Sequence, residues 1–508
     1  MHVHMIADVT STETTPSTSP AAASAAPSTP LVVRGLDWSK STWVLLVVLC
    51  GALFLDGLDL SMVGVALPSI GSDLHLSAGS LQWIVSGYVL GYGSFLLLGG
   101  RAADLIGRRP VFLIAVAVFG VASVISAGLS NDTALIVLRF VKGASAGFTV
   151  PAGLSIIVTT FAEGEARNRA LSIYTVCGAS GFSLGLVFGG LLTELGWRET
   201  FLVPGPVALL LVFAGIRVIP KATRDRVALA HFDLAGAFTS TASLLALVYA
   251  VVEAPTRGWG NPVTIAFLAA AAVLMTAFVI IEQRHERPLV RLGILRSRSL
   301  VHANLSAAAM FGGYVSFQFI VTLYVQNSLG WSPLGMAMAF LPAGALVAAS
   351  ATKMGLVLAR VRTSVLIAAG LGSLLAGYAL FLRVGTTHTY ANFLLPTMLL
   401  LGVGFALCFP AVNAQATAGI DDHEQGLASG LLNTSMQIGG AVVLAVVTAI
   451  LTSSGKGKQF ASGDLLPGMM PALAVVVGVS VAGLLYTLIR VLNTRPVAED
   501  KAEYVLAD

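Results

Sequence analysis

The chain has 508 residues, of which 56% are hydrophobic and only 11% charged, with a mean hydropathy of +0.86. Soluble domains average about 25% charged residues, so the composition excludes a water-soluble enzyme or binding module and indicates an all-α polytopic membrane protein. The net charge of +4 is too small to indicate a nucleic-acid partner.

Residues 1–41 read as a tail. From Thr10 to Pro30 every residue except Glu13 is Ser, Thr, Pro or Ala, which leaves too little apolar surface to fold, so disorder is expected. The first 40 residues lack an apolar core segment, and no secretory signal is expected.

Punctuation by Pro, Gly and charge clusters then predicts fourteen segments long enough to span a bilayer. The first seven lie near 42–69, 81–101, 111–129, 133–157, 170–193, 200–219 and 235–253. The rest lie near 262–282, 302–326, 334–357, 363–384, 391–412, 425–452 and 468–492. With the N-terminus inside, internal segments hold 22 of the 29 Lys and Arg. External loops hold five (Arg198, Arg257, Arg383, Lys456, Lys458), and Arg139 and Lys142 fall within a span. By the positive-inside rule both termini are expected in the cytoplasm, in the plasma (inner) membrane.

Two blocks of six spans, 42–220 and 301–492, flank a linker over 221–300 that holds two further spans, and 493–508 form a cytoplasmic tail. A weak echo supports a repeat: "EGEARNRALS" precedes a segment carrying Gly181, and "DDHEQGLASG" precedes one carrying Gly439 at the same offset. Repeated halves around a midplane site are a common plan of secondary transporters.

Cys50, Cys177 and Cys408 lie in apolar runs without ligand spacing, so they are expected to be packing residues, with no metal site. The histidines are scattered singly, and His302 and His388 are read as packed or interfacial.

The strongest local signal is "GGRAADLIGRRPV", 99–111. Gly100 and Gly107 permit close helix approach and a tight turn, Asp104 offers a carboxylate, and Arg108 and Arg109 mark the cytoplasmic side. This stretch resembles the loop motif of the major facilitator superfamily, G-x-L-a-D-r-x-G-r-r, with Ala102 in place of its Leu. The resemblance implies that Gly100, Asp104, Gly107, Arg108 and Arg109 form a conformational latch.

Further stretches are similar to the fourteen-span drug:proton antiporters of that superfamily. "LDLSMVGVALP" (58–68) keeps Asp59, Ala66, Leu67 and Pro68 of the first-helix motif. "QWIVSGYVL" (82–90), "GWRETFLVPGP" (196–206), "FDLAGAFTSTASLLALVYAV" (232–251), "LGWSPLGMAMAFLPAG" (329–344) and "GLASGLLNTSMQIGGA" (426–441) are also similar. The resemblance implies the major facilitator fold: two six-helix bundles plus two extra central helices.

Two stretches depart from that pattern. The antiporter motif of span five, G-x-x-x-G-P-x-x-G-G, appears as "GFSLGLVFGG" (181–190), with Leu186 where a helix-bending proline belongs. Gly181, Gly185, Gly189 and Gly190 still form a close-packing face. In span four the R-x-x-Q-G motif reads "RFVKG", with Lys142 replacing Gln.

Asp56 and Asp59 in span one are three apart, as are Arg139 and Lys142 in span four, so each pair shares a helix face. Antiparallel packing allows a ladder, Asp59 with Arg139 and Asp56 with Lys142, that makes buried charge tolerable. Desolvation and a like-charged neighbour favour a neutral aspartate, while opposed cations favour the anion. Such opposition suits a proton carrier. Asp59 is the first choice, since the resemblance places it at the motif position, and Asp56 is the second.

Between Arg287 and Ile420 no acidic residue occurs. Gln318, Asn413 and Gln437 are candidates either to line a substrate cavity or to join helices. Trp83, Tyr88, Tyr92 and Phe182 are candidates for an apolar wall or for packing. A neutral, zwitterionic or singly charged lipophilic substrate is expected. No G-x-x-x-x-G-K-[ST] motif is present, so no cofactor or nucleotide is expected and the energy would come from a proton gradient. The function expected is proton-coupled efflux of lipophilic antibiotics or toxic metabolites by a monomer, with no enzymatic activity. The alternatives are a dedicated exporter of one metabolite, or an importer.

Overall fold

A computed structural model describes residues 38–162, 164–220, 233–285, 290–383, 390–420, 424–455 and 465–493. Both expected tails, apart from Trp38–Ser41 and Asn493, lie outside the described residues, as do His388 and much of the linker between 221 and 232. Among the described residues, fourteen helices are long and apolar enough to cross a membrane. They are α1 (Lys40–Asp73), α2 (Ala78–Ile106), α3 (Arg108–Ala127), α4 (Asp132–Thr160), α5 (Glu165–Leu195) and α6 (Glu199–Val218, interrupted at Val203). Next come α7 (Leu234–Arg257) and α8 (Pro262–Arg284). The last six are α9 (Arg298–Leu323), α10 (Pro333–Arg360), α11 (Thr363–Phe381), α12 (Leu394–Thr417), α13 (Gln425–Gly455) and α14 (Met469–Asn493).

Local chemistry sets the ends. Ser39 and Ser77 accept from the backbone N–H groups of Thr42 and Ser80, each at 3.2 Å, and Asn131 accepts from Ala134 N–H at 2.8 Å, so each satisfies an orphan donor of its helix. Pro262 and Pro333 open α8 and α10, where a missing N–H is harmless. Between α2 and α3 the chain turns on Gly107 alone, at φ +107°, a conformation that a side chain would strain. Most helices outrun the expected spans by a few residues at one end or both, because their polar first and last turns project beyond the apolar stretch, whereas α3 and α11 stop short of the expected ends, at Ala127 and Phe381. Span twelve begins at Leu394 rather than 391 and continues to Thr417, so it includes Gln415.

The packing repeats. In the first half α1 packs on α5 and α6, α2 on α4, and α3 on α4 and α6. In the second half α9 packs on α13 and α14, α10 on α12, and α11 on α12 and α14, the same pattern eight helices on. The echo marks equivalent contacts: a Cβ at Gly181 would meet the Phe54 backbone of α1, and one at Gly439 would lie 2.7 Å from Ala308 Cα of α9. Among the described residues this is a two-bundle helical architecture, the one that the resemblance in the sequence implies.

Between the halves, α5 meets α10 and α2 meets α13. The extra helix α7 lies in the second seam against both α2 and α13, and α8 packs outside it. Ile114, Leu210, Val273 and Leu485 are exposed on outer helix faces, as lipid contact requires.

The face at which α1 begins is termed the near face, and the other the far face. On the far side α5 and α10 close tightly: a Cβ at Gly190 would lie 2.7 Å from Ala337 Cβ and 2.9 Å from Leu334 Cα.

Candidate functional site

Close backbone packing brings α1 and α4 to one centre. Behind α1, α5 presents Gly185 to Leu58 O, 2.6 Å from a notional Cβ, and Gly189 to Met62 Cα at 2.8 Å. Behind α4, a Cβ at Gly91 of α2 would lie 2.7 Å from Ala144 N, and one at Gly143 would lie 2.7 Å from the Tyr88 carbonyl carbon. Small residues at such contacts replace the hydrophobic drive that lipid removes. Of the four glycines of the span-five motif, Gly181, Gly185 and Gly189 therefore clasp α1, whereas Gly190 faces α10. Leu186 is buried in the apolar core, and α5 runs unbroken from Glu165 to Leu195, without a proline.

At the centre Asp59, Arg139 and Lys142 are each 0% exposed. Arg139 and Lys142 both donate to the Asp59 carboxylate, one to each oxygen. Arg139 also donates through Nε to Ile84 O at 2.9 Å and lies over the Tyr88 ring at 4.6 Å. Lys142 Nζ lies 4.7 Å and 5.3 Å from the ring centres of Phe119 and Phe201. Removing one partner of such a buried group costs about 3–5 kcal/mol, because the remaining charge is stranded.

The pairing differs from the expected ladder. Lys142 lies on Asp59, not on Asp56, because one carboxylate has two oxygens and the α4 face presents both cations to it. Asp56, one turn nearer the near face, is 6% exposed, and its Oδ2 is buried without a hydrogen-bond partner. The Tyr88 hydroxyl donates to Asp56 O, the backbone carbonyl, at 3.3 Å.

Candidate cavity residues separate. Gln318 borders a void of about 20 Å³ with Leu60, Gly64 and Phe182, room for a water but not a drug. Tyr88 belongs to the charge cluster. Trp83 points to α7 instead, its indole N–H donating to Glu253 at 3.2 Å. Asn413 donates to Phe409 O of its own helix at 2.8 Å, and Gln437 packs against Gly93 of α2.

A larger cavity of about 470 Å³, in the range of small-molecule sites, opens in the near-face half between α5, α10 and α12. Ser172, Thr175, Ser350, Gly355, Phe405 and Phe409 are among its walls. Sequence reasoning missed it. The only signal was the Phe405/Phe409 pair at helical spacing, which stacks at 5.4 Å. Phe182, Tyr314 and Phe405 form a ring chain, 5.8 Å and 5.3 Å between centres, from the small void to this cavity.

Near the end of α2 a Cβ at Gly100 would lie 3.7 Å from Pro151 Cβ; in the α2–α3 turn Arg108 is half-buried, and Arg109 donates to Ile216 O near the end of α6 at 2.5 Å. A cation at a helix C-terminus satisfies a free carbonyl and the dipole. The Asp104 side chain lies outside the described residues. His302 is buried, hydrogen-bonded to Gln415 and, at 3.1 Å, to Thr487. That is a packed role.

The chain matches the Major Facilitator Superfamily profile over residues 49–444. It is 34% identical to the puromycin resistance protein pur8 of Streptomyces alboniger, over 86% of this chain and 89% of that one. It is 33% identical to the cephamycin export protein CmcT of Amycolatopsis lactamdurans, over 89% and 95%. The solved nucleoside transporter NupG superposes with a TM-score of 0.59 at 13% identity, over 88% of this chain and 99% of that one. In sequence, helix count and packing, the chain belongs to the major facilitator superfamily.

Proposed function

We propose that this protein is a proton-driven exporter of lipophilic, antibiotic-like small molecules, working by alternating access in the plasma membrane. The observation that carries the reading is the fully buried Asp59 held between Arg139 and Lys142. Intramembrane charge of this kind marks ion pathways, since it is retained only at a cost. The relatives named for puromycin resistance and cephamycin export supply the direction and the substrate class.

The excess of Lys and Arg at the near face makes that face cytoplasmic, with both termini inside. The 470 Å³ cavity then opens inward while Gly190 and α10 seal the exterior. Its walls are mainly apolar, which suits a lipophilic guest. One chain supplies both halves of the cavity, so a monomer suffices. The conformational latch is assigned to the α2–α3 turn, where Arg109 ties α3 to α6.

Those two relatives are each named for a single antibiotic, while another, 31% identical, is named a multidrug resistance protein, so export of one scaffold and broad drug export are the two forms of this reading. Expression in a drug-sensitive bacterium, with puromycin and a varied panel, separates these readings. Resistance that a protonophore abolishes is expected. Unchanged sensitivity to every compound at verified expression, or resistance indifferent to the protonophore, contradicts proton-driven export.

A further inference from the structure

Asp59 and Asp56 occupy opposite circumstances one helical turn apart. Asp59 has a cation on each oxygen. A proton placed there would leave Arg139 and Lys142 as buried neighbours without a counter-ion. Asp56 Oδ2 is buried and accepts nothing. A buried carboxylate in that state is far costlier than a neutral carboxyl group.

The two cations also differ. Arg139 is fixed by its Nε bond to Ile84 O and by the Tyr88 ring. Lys142 makes a single hydrogen bond, to Asp59, and its ammonium group otherwise meets only the rings of Phe119 and Phe201. It is a point charge on a flexible stem. Lys142 follows Arg139 by three residues on α4, which runs toward the near face, and Asp56 precedes Asp59 by three on α1. The second rung therefore lies within reach of its ammonium group.

Resting on the proton-driven reading, we infer that Lys142 is a mobile counter-ion shared by two aspartates, and that Asp56 carries the exchangeable proton. With Asp56 protonated, Lys142 lies on Asp59, the arrangement observed. When Asp56 releases H⁺ to water, Lys142 stays an ammonium, breaks its bond to Asp59 and forms one to Asp56, giving the two-rung ladder. Only a proton leaves. No electrons move and no co-reactant is needed. The cluster changes from a net charge of one positive to neutral, and Arg139 keeps Asp59 paired throughout.

The ionisable groups facing Asp56 are Asp59 on its own helix, Tyr88 and Tyr92 from α2, Lys142 from α4 and Tyr174 from α5. Among them Lys142 is the cation that can answer a new charge on Asp56. Asp56 lies outside the first-helix motif, and Lys142 stands where the span-four motif has Gln.

Infrared difference spectroscopy against pH, on the purified chain in lipid vesicles without substrate or gradient, tests this directly. The expected result is a neutral-carboxyl C=O band that is missing from Asp56→Asn and merely displaced in Asp56→Glu. In Lys142→Gln the band should persist to higher pH by about 1–3 units, because the cation that stabilises the anion is gone. A band kept in Asp56→Asn but lost in Asp59→Asn overturns the inference, as does an unchanged titration in Lys142→Gln. If Asp56→Asn does not fold, the Glu and Gln variants still decide. A chain that exports nothing can still pass this test, so the two failures are distinguishable.

Discussion

Gln326, in the π turn Tyr324–Ser328 that extends α9, donates its side-chain amide to Val65 O of α1 at 2.9 Å. The bond joins the two halves in the far-face half, where Gly190 also meets α10. It is a polar clasp on the closed side of the molecule.

Gln326→Ala removes that clasp, a net loss of about 1 kcal/mol, and should raise opening at the far face about fivefold. Cysteine placed at Leu67, in a chain whose three cysteines are replaced by serine, reports this through its labelling rate from outside. An unchanged rate shows that the bond does not hold the closed state.

Two glycines of the same helix should fail differently. Gly185→Ala forces a methyl into Leu58 O within one bundle, so the amount of folded protein should fall. Gly190→Ala meets Leu334 and Ala337 across the halves, so the protein should accumulate normally while export drops several-fold. Quantifying membrane-extracted protein beside export separates the two outcomes. Equal loss of protein in both would contradict the division of roles.

The cavity is tested by filling it. Nothing lies within 4 Å of a Cβ at Gly355, which lines the cavity, or at Gly478 on exposed α14. Gly355→Trp should abolish export of large substrates at normal protein level, and Gly478→Trp should leave it intact. Full export by Gly355→Trp would show that substrate takes another path.

Much of this organisation was legible in the sequence, and the failures have physical causes. All fourteen spans were readable because a bilayer demands about 20 apolar residues of each. The Gly181/Gly439 echo was readable because only glycine permits backbone contact with Phe54 and Ala308. The residues of the charge cluster were readable, since spacing by three fixes a common face. Their pairing was not, because spacing says nothing of the height at which α4 docks on α1. Trp83 was drawn away from the cavity by Glu253, and the position of α7 is set by tertiary packing. The large cavity was hidden because Ser, Gly and Phe at its walls are the same residue types that face lipid.

Everted membrane vesicles with a pH-sensitive dye measure coupling at its source, using the compound identified by the resistance panel. In wild-type vesicles, adding that compound should dissipate a preformed proton gradient. With Asp59→Asn, compared at equal amounts of folded protein because the change strands two cations, the gradient should persist. If Asp59→Asn vesicles discharge the gradient as fast as wild type while taking up the compound, the buried charge cluster does not couple protons to export.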